Sequence, residues 1–143
     1  MTSRMATLIL MFALTACGDE HASDDVRGGN GDDDHGAHAA KHGGDLLTLA
    51  EHELFLEVVH DDDAAAVHVW LYRGEEMAAA APDAPPVLNL VAGGATKQLD
   101  GVEGDDGRWT FSDAALAGEP EGARFTISVD GQRYVPAWEH GHE

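Results

Sequence analysis

Two short stretches alternate strictly between apolar and polar side chains, and that period constrains the fold more than any other feature of the chain. In "HELFLEVVH" (52–60), Leu54, Leu56 and Val58 share one face, with Glu53 and Glu57 on the other. In "VHVWLY" (67–72), Val67, Val69 and Leu71 oppose His68, Trp70 and Tyr72. Successive side chains of a strand point to opposite faces, so a period of two places one face in a core. "DDDAA" supplies a turn between the two, and the pair reads as antiparallel strands. "PVLNLV" (86–91), "RWTF" (108–111) and "ARFTISV" (123–129) continue the series. Asp130-Gly131 then separates "FTISV" from "QRYVPAW", as a type I′ turn would, since its two central residues need positive φ. Residues 45–139 therefore read as an all-β domain, a single antiparallel β-sandwich of about seven or eight strands. Helix signals are few. "EEMAAAAPDAPP" (75–86) has helical composition but is cut short by Pro82, Pro85 and Pro86, and "SDAALAG" (112–118) suits one turn capped by Ser112.

The chain opens differently. "MTSRMATLILMFALTAC" has one basic residue, Arg4, and then an apolar run from Met5 to Leu14. That run is short of the roughly 20 residues a permanent membrane helix needs, and fits the core of a secretory signal at about 7–15. Leu14-Thr15-Ala16-Cys17 resembles the lipobox of bacterial lipoproteins. The resemblance implies a signal peptide over residues 1–16, acyl chains such as palmitate on Cys17, and an anchored protein of the cell envelope facing the periplasm. Gly18 stands where an Asp resembles an inner-membrane retention signal, which favours the outer membrane. Two or three acyl chains anchor stably where one is marginal. Cys17 is the only cysteine, so no structural disulfide is available.

Residues 18–44 contain one Val and no Leu, Ile, Phe or Trp. Such a segment buries too little apolar surface to offset ordering its backbone, and residues 17–44 are expected to form a disordered tether with ends about 30 Å apart. Residues 140–143 are expected to be a flexible C-terminus. The formal net charge of −19 argues against nucleic acid as a partner and against electrostatic attraction to an anionic membrane. It suits cations.

Nine histidines are present. His35, His38 and His42 stand at i, i+3 and i+7, on one face if helical, beside the oxygen donors Asp32, Asp33 and Asp34. Imidazole binds Zn²⁺, Cu²⁺ and Ni²⁺ well. Gly36, Gly43 and Gly44 oppose a stable helix, so loose capture fits better than a rigid site. His140 and His142, flanked by Glu139 and Glu143, would extend the ligand set if the terminus folds near His42. The candidate metal residues for Cu or Zn are therefore His35, His38, His42, His140 and His142. His52, His60 and His68 read as exposed strand residues. "NGDDDHG" fails as an EF-hand loop, because His35 replaces the turn Gly and Lys41 the closing Glu. The chain has no Gly-x-Ser-x-Gly elbow, His-Glu-x-x-His helix, phosphate-binding loop or spare thiol, so a non-enzymatic role is expected. Trp70, Tyr72, Trp109 and Trp138 suit core or half-buried packing, with the Trp70/Tyr72 face as an alternative binding surface.

A longer pattern joins these pieces: His42-Gly43-Gly44, a short strand at Leu46–Leu49, Glu53–Val59, Val67–Tyr72 and the proline-bearing Pro82–Pro86. It resembles an N-terminal region of periplasmic adaptor subunits from heavy-metal efflux pumps of the resistance-nodulation-division class, and small bacterial lipoproteins built from the same module. The similarity fades after Leu90, and the chain has no room for the helical hairpin and barrel domains of a complete adaptor. The resemblance implies a cell-envelope module linked to metal handling, with an envelope protein or efflux component as partner. A protein-interaction module with no metal role is the alternative.

Overall fold

The computed structural model describes residues 38–51 and 53–139. In chain order its strands are β1 (Asp45–Ala50), β2 (Leu54–Asp61), β3 (Ala66–Arg73), β4 (Ala78–Ala80), β5 (Val87–Ala92), β6 (Ala95–Asp100), β7 (Val102–Glu103), β8 (Trp109–Ser112), β9 (Gly122–Val129), β10 (Gln132–Tyr134) and β11 (Ala137–Trp138). They form two antiparallel sheets. One has six strands in the order β1-β2-β3-β8-β7, with β4 also paired to β3; the other has five in the order β10-β9-β5-β6, with β11 paired to β9.

The alternation explains the packing. Leu54, Leu56 and Val58 of β2 and Val67, Val69 and Leu71 of β3 turn inward with Phe111 of β8. Leu88 and Leu90 of β5, Phe125, Ile127 and Val129 of β9, and Trp138 of β11 belong to the same buried cluster. One hydrophobic core thus joins both sheets, a sandwich-like arrangement. Seven of the strands have four residues or more, and the excess over the expected seven or eight comes from the short β4, β7, β10 and β11. Asp130 and Gly131 have φ of 53° and 77°, as their turn requires. The Asp83 carboxylate accepts from both of their N–H groups, at 3.1 and 2.8 Å.

Two local expectations are corrected. Residues 75–86 form no helix; Ala78–Ala80 pair with Leu71–Arg73 along the part of the β3 edge that β8 leaves open. A run this short before Pro82 cannot repay helix nucleation, whereas a waiting strand edge supplies partners directly. Ser112 is not a cap but the last residue of β8. Asp113 caps the 3-10 turn Ala114–Leu116, accepting from Ala115 N–H at 2.9 Å.

Candidate functional site: a strap over a buried carboxylate

By alternation Glu57 lies on the face of β2 away from the core, where water would be expected. It is instead fully buried. What covers it is the segment 38–44, which lies as a strap against the outer face of the six-stranded sheet. Lys41 N–H donates to Glu57 Oε2 at 3.1 Å, while His42 and Gly44 N–H donate to Oε1 at 2.5 and 3.3 Å. His42 Nδ1 lies 3.1 Å from Oε2, and the Tyr72 hydroxyl donates to that oxygen at 3.2 Å. Hydrogen bonds to a charged group contribute about 1.5–3 kcal/mol each before the cost of ordering the strap.

Burial alone would push the Glu57 pKa up. Hydrogen bonds from the His42 ring and from the backbone of His42, Gly44 and Lys41 outweigh that and hold it below the ordinary 4.5. Tyr72 is pushed to about 12 by burial, then by the Glu57 charge and its hydrogen bond, and stays a phenol donor. An ionised carboxylate only accepts, so the proton between His42 and Glu57 sits on Nδ1. Because the folded-state pKa of Glu57 is depressed, the stability it contributes is complete above the ordinary carboxylate value and is lost as pH falls through the folded value. The strap is therefore expected to release in acid before the core unfolds. Amide exchange at His42 and Gly44 followed downward from pH 6 checks this, and protection that holds until global unfolding would refute it.

Rings fasten the rest. The His42 imidazole stacks on Trp70 at 3.9 Å and 9°. His38 tilts against Phe55 at 4.4 Å. Lys41 Nζ donates to Met77 O at 2.6 Å and lies 4.9 Å from the centre of the Tyr72 ring. Beneath, Phe55, Tyr72 and Met77 form a second buried cluster with Leu46 and Trp70 packed against it.

The two glycines have separate reasons. Gly43 has φ +79°, which side chains rarely adopt. A Cβ on Gly44 would lie 2.2 Å from Val58 O and 2.7 Å from Val59 Cγ2, so only glycine permits this approach.

Residues 38–44, expected as the end of a tether, are thus held on the sheet. They bury few apolar atoms of their own, and their backbone donors answer a carboxylate that needs them. Tyr72 is buried beneath the strap and Trp70 is half-buried beside it, the packing expected of them, which leaves Tyr72 unavailable to the alternative Trp70/Tyr72 binding face.

Of the nominated metal residues, His38 and His42 lie on this one outer face. Cys17, His35, His140 and His142 lie outside the described residues, as does His52. Among the described residues no group of three or more His, Cys, Asp or Glu side chains is placed to hold a metal ion. His60 is not an exposed strand residue: its side chain is 3% exposed, with Nε2 2.7 Å from Leu116 O and the ring edge-on to Trp138. His68 is half-buried, 3.0 Å from Thr110 Oγ1 through Nδ1. Burial and then the Arg108 charge lower its pKa, against the opposing pull of Asp61.

Sequence reasoning did not single out Glu57 as a site residue, and it offered Tyr72 only as part of an alternative binding face shared with Trp70. The available signal was composition: beside Glu57 the outer face of β2 and β3 carries the aromatic residues Phe55, Trp70 and Tyr72, a face built to be covered.

The fold and the site define a small all-β domain closed by a docked His-Gly-Gly strap. No protein-family model, curated protein or solved structure matches the chain.

Proposed function

We propose that this is a lipid-anchored lipoprotein of the bacterial cell envelope, held through Cys17 and facing the periplasm from the outer membrane. A single β-sandwich carries a histidine-bearing strap that holds Cu or Zn ions loosely, as a non-catalytic accessory to metal handling or efflux. The observation that carries the reading is the display of His38 and His42 on one outer face, with the His42 side chain 41% exposed. The acidic balance of the chain and its resemblance to efflux adaptors support it too. Holding is loose because the described residues supply no closed shell.

Calorimetric titration of the detergent-solubilised chain with Cu²⁺ and Zn²⁺ tests it. Saturable binding tighter than about 0.1 mM is expected, weakened when His35, His38, His42, His140 and His142 are replaced together. No such binding, or binding indifferent to those replacements, removes the metal role. That result would leave the second reading, an interaction module, which the outer edge of β6, unpaired among the described residues, favours.

A further inference from the structure

The strap does more with His42 than tie it down. Two nitrogens of the ring face different fates. Nδ1 is committed to the buried Glu57 carboxylate, within reach of the Tyr72 hydroxyl at 3.1 Å. Nε2 makes no hydrogen bond among the described residues, and the ring is fixed in plane by the Trp70 indole. A half-turn of the ring about Cβ–Cγ would keep the stack but set a carbon against Glu57 in place of Nδ1, breaking the carboxylate bond. The imidazole is therefore held in a single orientation and a single tautomer whenever it is neutral.

A metal-bound histidine commonly needs this arrangement: its second nitrogen donates to a carboxylate, which fixes the ring and raises its basicity. We propose that His42 is a metal ligand through Nε2, for a borderline cation of the Cu²⁺ or Zn²⁺ class, and that Glu57 is the positioning residue behind it. The inference rests on the metal reading above and assigns it to one atom. Binding is a ligand exchange: the Nε2 lone pair replaces one water on the cation, and no electron is transferred. The cation draws density from the ring, making Nδ1–H a stronger donor to Glu57. Metal and docked strap then reinforce each other, because a ligand that binds one state better shifts the equilibrium toward it. Glu57 itself never touches the metal. Its carboxylate is shut beneath the backbone of Lys41, His42 and Gly44, and it is the one buried acid among the described residues.

The stack on Trp70 provides the readout. Cu²⁺ quenches indole fluorescence at short range, so Cu²⁺ titrated into the full chain in detergent should quench in parallel with binding, and Zn²⁺ should compete for the same site. Three variants decide the matter. His42→Ala should abolish the Cu²⁺-dependent quench. Glu57→Gln should weaken Cu²⁺ affinity about 10- to 100-fold, the usual effect of losing such a partner. Trp70→Phe should leave Cu²⁺ binding in place by calorimetry while removing most of the quench, and this variant keeps the test decisive if Glu57→Gln unfolds. Wild-type affinity in a folded Glu57→Gln, or quenching that persists in Trp70→Phe, overturns the assignment. Saturable Cu²⁺ binding that ignores His42 and Glu57 but requires the other histidines would sink this inference and spare the broader metal reading. Absence of any saturable Cu²⁺ or Zn²⁺ binding would sink both.

Discussion

Phe111→Ala should cost about 3–5 kcal/mol of unfolding free energy, the range for removing a fully buried aromatic ring. Phe111 is wholly inaccessible to solvent, and its ring sits 5.7 Å from that of Phe125 in the opposite sheet. The chain also crosses between sheets here, from β6 to β7 through Gly101, where an added Cβ would lie 3.2 Å from the Phe111 ring. Neighbours packed this tightly on both sides cannot collapse into the space a truncated side chain leaves. Urea unfolding should show a lower midpoint with an unchanged slope. A loss under about 1 kcal/mol would mean that the two sheets do not share one core.

Gly44→Ala should be the most damaging single methyl that can be added to the strap. The contact at 2.2 Å is with a backbone oxygen in the middle of a paired strand, which has no rotamer to move into. Overpacking normally costs about 1–3 kcal/mol, and here the relief available is to lift the strap off the sheet. That would surrender the hydrogen bonds to Glu57 and expose Phe55, Tyr72 and Met77. Gly43→Ala meets no atom within 4 Å and should cost less, through its positive φ alone. Chemical unfolding compared between the two variants, with amide exchange at His42, separates the effects. Equal stability of the two would contradict the close docking of Gly44 on Val58.

The sheets were largely legible in the sequence, because alternation in β2 and β3 is a property of neighbouring residues alone. The Asp130-Gly131 hairpin was legible for the same reason. β6 was missed, although Gly93-Gly94 between "LNLVA" and "ATKQL" is a hairpin signal; its polar, exposed residues have no buried face to announce a strand. The strap was missed for a different physical reason. Residues 38–44 carry no apolar run, and composition alone assigns such a stretch to solvent. What holds it is a partner 13 to 16 residues away, Glu57, whose demand for donors cannot be seen locally. His42 was nominated from spacing with His35 and His38, but its ring is placed by Glu57 and Trp70, which spacing does not encode.

The chain enters its first strand through the strap, so a pull on whatever precedes residue 38 must load the Glu57 bonds before it reaches β1. Asp45, the first residue of β1, is in turn held by Trp138 Nε1 at 3.0 Å. The entry is thus fastened twice, first at a polar latch and then at a buried indole. Under load the latch is the expected first point of release, ahead of the two packed sheets behind it.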